Sequence, residues 1–383
     1  MMDVQRFKDV PYREAKGLIL EERWGLFVHV CTVARSLSGT LVVACIGGPR
    51  AEPEPDNVIA VARSFDNGKT WTSLEGVIDP PDGWRAYDPV LWTRPDGKVW
   101  IQWGEGDCPG FRKGDRAGRT FAGILSVDGA EVAIQDVEPW VGRRPGNWAV
   151  NPLIILNSGR WIVPMQDGRY QYARTSDDGG RTWVNREPAT TEEVPGGLDE
   201  MTVIQRSDGR LWALYRTRGG RLFEGFSDDE GDSWRDIRET GIPNPGTKPF
   251  LLKLASGRVL LLNNATFASR VGHKDRPPAD QYAGRSFLTA AISEDDGRTF
   301  RAEIALDRDR FVCYPSAIQD PDGVIHIVYT MKTGPAYTWV GNPIEDTSNA
   351  LEGEIAVARG AYGQLTEEMV LSGDPPGWQV EGM

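Results

Sequence analysis

The chain has 383 residues, more than one ordinary compact core takes, so it holds either several domains or one repeating architecture. Its 43 Lys and Arg against 55 Asp and Glu leave a formal charge of -12, which removes the basic field that a nucleic acid partner needs. Apolar residues at 40% and charged residues at 26% suit a soluble globular protein and exclude a disordered or collagen-like chain.

The N-terminus, MMDVQRFKDVPYREAK, carries no apolar signal segment, and no stretch approaches the ~18 apolar residues of a membrane helix. A cytoplasmic protein without a membrane partner is therefore expected. Cys31, Cys45, Cys108 and Cys313 are scattered with no C-x-x-C pair, which predicts free buried thiols. The histidines are His29, His273 and His326, with no H-E-x-x-H, so neither a metal site nor an organic cofactor is expected.

A single domain over 1–383 is expected, with loosely packed ends at about 1–15 and 372–383. Along it runs one repeated phrase, an apolar run, a polar-Gly turn and a second apolar run: SLSGTLVVAC, RPDGKVWIQW, LNSGRWIVPM, RSDGRLWALY, LASGRVLLLN and DPDGVIHIVY. Its turn glycines are Gly39, Gly97, Gly159, Gly209, Gly257 and Gly323, and each copy reads as a β-hairpin. Between hairpins comes a second phrase, SFDNGKTW at 64, SDDGGRTW at 176, SDDEGDSW at 227 and SEDDGRTF at 293, all fitting S-x-D-x-G-x-[ST]-[WF]. Ser and Asp there can hydrogen-bond the turn's own backbone, and the terminal aromatic can wedge into the core. A degenerate copy falls near LSVDGA, and the last unit lacks one. Strand-like runs before and after each box add a third and a fourth strand per unit. Four strands repeated six times make an all-β fold, a six-bladed β-propeller. The segment GLILEERW, residues 17–24, is expected to complete the last blade and close the ring.

Strand direction then selects the functional face. Counting eight to ten residues upstream of each turn glycine reaches the starts of the innermost strands, crowded about the axis: His29, Asp88, Asn151, Glu200, Lys248 and Tyr314. A plain core would place Val or Ile there, so this polar ring is the strongest functional signal in the chain. Antiparallel pairing across the fourth hairpin returns Arg216 beside Glu200. Arg285, before FLTAAIS, faces the same mouth, and the loop GGPRAEPEPDN places Glu52, Glu54 and Asp56 over it. The Gly-rich GEGDCPGFRKGDRAG takes the equivalent loop of the next blade.

The four boxes match the Asp-box of the sialidase superfamily, whose members are six-bladed propellers, and the resemblance covers about residues 16–360. It implies the following roles. Glu200 followed by Arg216 resembles the superfamily's glutamate and its second carboxylate-binding arginine. Arg285 resembles the third arginine, Tyr314 in YPSAI resembles the nucleophilic tyrosine, and Asp88 fits the family's second blade. The first arginine, normally in an R-I-P motif, is absent; FVHVCTVARSLSG puts His29 there, as in a divergent BNR-repeat branch.

Three functions follow as expectations. The first is a retaining exo-glycosidase for a small acidic or deoxy sugar, a carbohydrate substrate held by Arg216 and Arg285 with Asp88, Lys248 and Asn151. Tyr314 attacks with Glu200 as its base, Asp56 is the first choice for the acid with Glu54 and Glu52 behind it, and His29 reshapes the pocket. A tyrosine paired with a carboxylate avoids the repulsion that a carboxylate nucleophile would feel from an anionic sugar. The second is elimination on a uronate with His29 as base and Tyr314 as acid. The third is a non-catalytic sugar-binding propeller, in which Tyr314 is a buried phenol bonded to a carboxylate and Arg216 only neutralises Glu200.

Overall fold

The computed structural model describes residues 27–48, 52–55, 57–110, 115, 117–140, 147–167, 169–194, 197–265, 285, 288–300, 302–307, 312–333, 357–372 and 380–382. Within them, 24 strands form the six blades of a propeller, four antiparallel strands to a blade. The innermost strands are β1 (Phe27–Arg35), β5 (Trp84–Thr93), β9 (Ile154–Ile155), β13 (Asp199–Gln205), β17 (Phe250–Lys253) and β21 (Val312–Gln319). Each hairpin phrase of the sequence joins one of these to the second strand of its blade, through a turn glycine with φ between 80° and 99°.

Burial falls from hub to rim, and the sequence of the fourth blade shows why. Its second strand, β14 (Leu211–Arg216), is buried along its whole length, because both faces of the blade pack on neighbours. Its outer strand, β16 (Arg235–Pro243), reads RDIRETGIP and is largely exposed, having solvent on its free edge. Charged residues there also blunt the edge against pairing with another chain.

The four Asp-boxes are built alike. In the first, Ser64 Oγ donates to Asp66 Oδ1 at 2.8 Å and accepts from the Gly68 amide at 2.8 Å, while Asp66 Oδ1 accepts from the Thr70 amide at 2.9 Å. The aromatic then wedges between blades: Trp71 meets Tyr362 edge-on at 4.9 Å, and Trp183 meets Trp140 at 4.7 Å. The degenerate copy does a different job, since Asp128 accepts from Ser36 Oγ at 2.9 Å and Ser38 Oγ at 2.6 Å in the first hairpin turn. Box glycines answer to two demands at once. Gly297 has φ +80°, and a Cβ on it would strike the Trp212 ring, which is 1% exposed. Gly297→Ala is therefore expected to cost about 3 kcal/mol, from left-handed strain plus a displaced indole. A lower urea midpoint at unchanged slope would register it; an unshifted midpoint would contradict it.

Ring closure differs from the sequence-based expectation. The last blade consists of β21, β22 (Ile325–Thr333), β23 (Val357–Leu365) and β24 (Val380–Gly382), so the C-terminal strand pairs on the outside of β23. Residues 17–24, expected in that place, lie outside the described residues. Between the last blade and the first, β23 and β1 pair at Ala358 and Phe27. A buried polar chain reinforces this seam. His326 lies against Asp320 Oδ2 at 3.1 Å and Tyr362 Oη at 2.7 Å, and Gln364 Nε2 reaches both Tyr362 Oη and the Asn67 carbonyl of the first Asp-box. Burial pushes the His326 imidazole below its ordinary value against the pull of Asp320. His326 is thus part of a blade interface and stands apart from the axial site. All four cysteines are free and buried.

Candidate active site

The innermost strands carry a local irregularity at the axial mouth. Register slips between His29 and Thr32, Tyr87 and Val90, Asp199 and Thr202, and Cys313 and Ser316. Inside these bulges four non-glycine residues take left-handed φ: Val30 at 50°, Asp88 at 46°, Glu200 at 43° and Tyr314 at 56°. Such a conformation costs of order 1–3 kcal/mol per residue and persists where surrounding packing enforces it. A bulge also re-aims the side chain that follows it, here towards the axis. Three blades so present Asp88, Glu200 and Tyr314. In the first blade the same count of nine residues upstream of the turn glycine reaches Val30, and His29 stands one position before it.

At the centre is a buried triad. Tyr314 Oη donates to Glu200 Oε1 at 2.9 Å; Arg216 Nη1 lies 2.7 Å from the same oxygen and 3.2 Å from Tyr314 Oη. All three residues are at most 9% exposed. Burial, reinforced by the Glu200 charge, pushes the Tyr314 phenol far above its ordinary value, with Arg216 and Arg285 pulling the other way. Free phenolate is therefore not the resting species. A tyrosine so placed can react only as its proton passes to the carboxylate it already touches.

Around the triad, the Arg285 guanidinium stands 5.4 Å from the Tyr314 ring centroid, with Nη2 donating to the Gly246 carbonyl at 3.2 Å. The His29 ring meets the Tyr314 ring edge-on at 5.0 Å, and its Nδ1 lies 3.1 Å from Thr330 Oγ1. Asp88 is half-buried at the mouth. Burial first, then the Glu52 and Glu200 carboxylates, raise its acid well above the ordinary range, against Arg85 and Lys248. Lys248 is 1% exposed and donates to the Val150 carbonyl at 3.0 Å, with no hydrogen bond to Glu200. Asn151 is a structural tie: its Nδ2 donates to the Met201 carbonyl at 3.0 Å.

The acidic loop is placed differently from a row of solvated carboxylates. Glu54 is 1% exposed, and Glu52 pairs with Arg85 at 2.9 Å. Arg85 also holds Asp115 at 2.9 Å and lies 4.3 Å from the Tyr87 ring centroid, tying the first two blades together at the mouth. Asp56 lies outside the described residues, as do His273 and most of residues 111–116 in the Gly-rich loop. Trp148 meets Tyr87 edge-on at 5.8 Å, and Trp84 carries the Arg119 guanidinium at 4.3 Å.

Sequence reasoning missed Asp199. Strand alternation turns it away from Glu200, yet the bulge puts both on the Arg216 side, with Asp199 Oδ2 at 3.7 Å from Arg216 Nη1. Gln166, its amide oriented to suit its neighbours, donates to Asp199 Oδ1 at 2.6 Å and accepts from Trp148 Nε1 at 2.6 Å. The adjacent acidic pair Asp199-Glu200 was the only available signal.

The family described as a BNR repeat-like domain matches residues 39–327. Among solved structures, a protein of unknown function from Dyadobacter fermentans is 20% identical with a TM-score of 0.63, over 82% of this chain and 93% of that one. The Hadza microbial sialidase Hz136 is 18% identical with a TM-score of 0.66, over 80% of this chain and 64% of that one. The NanB sialidase of Streptococcus pneumoniae is 13% identical with a TM-score of 0.61, over 85% of this chain and 67% of that one. These likenesses are likenesses of fold. Comparison with curated proteins finds no match.

Proposed function

Starting from the premise that this chain belongs to the BNR repeat-like family and has the sialidase propeller fold, we propose that it is a retaining exo-glycosidase for a small acidic or deoxy sugar glycoside. The observation that carries this reading is the Tyr314 Oη to Glu200 Oε1 hydrogen bond of 2.9 Å, with Arg216 on both groups. In the first step Tyr314 Oη bonds to the anomeric carbon as its proton passes to Glu200, and the glycosidic bond breaks with the electron pair leaving on the aglycone oxygen. A carboxylic acid protonates that oxygen, and we assign this role to Asp56. In the second step water attacks the same carbon, gives a proton to that acid and releases Tyr314, which recovers its own proton from Glu200.

Arg216 and Arg285 supply positive charge for an anionic substituent, although Arg216 already answers to Glu200 and Asp199. His29 takes the first arginine's region, which favours a sugar other than ordinary sialic acid. A panel of aryl glycosides tests the reading: release of the chromophore with net retention of anomeric configuration supports it, and inversion or silence across the panel refutes it. The edge-on contact of His29 with Tyr314 favours a second reading, elimination on a uronate, which would instead leave an ultraviolet-absorbing unsaturated product.

A further inference from the structure

Three buried polar groups from three successive blades keep hydrogen-bonding capacity to spare and are linked through the backbone: Lys248 Nζ donates to the Val150 carbonyl, and Asn151, the next residue, donates to the Met201 carbonyl beside Glu200. Glu200 Oε1 is engaged by Tyr314 and Arg216, whereas Glu200 Oε2 is buried with no hydrogen bond among the described residues. Asn151 Oδ1 is in the same condition while its Nδ2 is engaged. Lys248, at the entrance to the fifth blade, makes one hydrogen bond among the described residues, to the Val150 carbonyl, out of the three that an ammonium can donate.

We propose that Lys248 is a positioning residue for the Tyr314–Glu200 pair: buried beside the strand that carries Glu200, its ammonium balances the Glu200 charge. The catalytic consequence rests on the glycosidase reading; the charge relation between the two residues does not. Lys248 feels the charge of Glu200 from β13 and Asp88 from β5, with smaller influences from Cys31 of β1 and Cys313 of β21, and its Nζ lies 5.7 Å from the Phe250 ring centroid. Burial pushes its amine down to about 8, and the Glu200 and Asp88 carboxylates keep it from falling further. The sign follows. The cation is present below about pH 8 and is lost above it, so the pair should be balanced on the acid side and unbalanced on the alkaline side.

Two measurements decide the matter. For wild type, kcat/KM on the best aryl glycoside should fall about tenfold per pH unit above about 8. For Lys248→Met, of similar volume and without charge, it should be at least ~10-fold lower near pH 6.5, the loss lying in kcat, and should show no such limb up to about pH 9.5. A Lys248→Met enzyme within about twofold of wild type, or one keeping the wild-type limb, overturns the proposal. Independently of turnover, isotope-labelled lysine NMR should show Lys248 titrating near 8 in wild type and at least about one unit lower in Glu200→Gln. A Lys248 still fully charged beyond about pH 9.5, or unmoved by Glu200→Gln, also overturns it. If no glycoside is turned over at any pH, the glycosidase reading falls alone, because the NMR titration still decides the role of Lys248.

Discussion

Replacing Tyr314 with phenylalanine is expected to lower kcat by about 10³-fold or more while leaving the fold intact, because it deletes the one atom that would form the covalent bond. The ring stays, so its contacts with His29 and Arg285 survive. The loss in the folded state is one hydrogen bond to Glu200 Oε1, an oxygen that Arg216 still contacts at 2.7 Å. A charged acceptor that keeps its ion pair should lose only about 1–2 kcal/mol, a shift of a few degrees in the thermal midpoint. The measurement is kcat on an aryl glycoside beside a thermal melt. Retention of more than about a tenth of the activity would remove the nucleophile assignment, and anomeric analysis of the residual product would show whether Glu200 or water had attacked instead.

Arg216→Met should have the largest effect on stability. Glu200 and Arg216 are 6% and 8% exposed at the side chain and meet at 2.7 Å, so removing the guanidinium leaves a buried carboxylate facing Asp199 without its cation. Breaking a buried pair from one side typically costs about 3–5 kcal/mol, because the desolvation of the remaining charge is no longer offset. Urea denaturation reads that cost. The double variant Arg216→Met/Glu200→Gln removes both charges and should recover most of the loss. A double variant as unstable as Arg216→Met alone would show that shape, not charge, is what Arg216 supplies.

Several particular residues show how far the primary structure could be read. The four boxes and six hairpin turns were legible because their chemistry is local: a serine and an aspartate each bond a backbone amide only four residues away. The gathering of Asp88, Glu200 and Tyr314 was legible because each blade starts at the same mouth, so equal distances from a turn glycine mark equal heights on the axis. The place of His29 was not, since the equal count reaches its neighbour Val30, and only the packing of that bulge shows the imidazole against the Tyr314 ring. Glu54 illustrates the same limit. A proline-stiffened acidic loop has the composition of solvated surface, yet Glu54 within it is buried.

By itself, the sequence determined the number of blades, the direction of their strands and the face on which the polar residues assemble, because periodic turns and alternating apolar runs act over a few residues. Only the tertiary structure decided which carboxylate shares Arg216, which oxygen of Glu200 takes both Tyr314 and Arg216, and which strand borders β23. Those outcomes come from bulges, burial and contacts between segments far apart in the chain, such as Tyr314 and Glu200, 114 residues apart. There the balance of desolvation and charge is set by neighbours that no local pattern names.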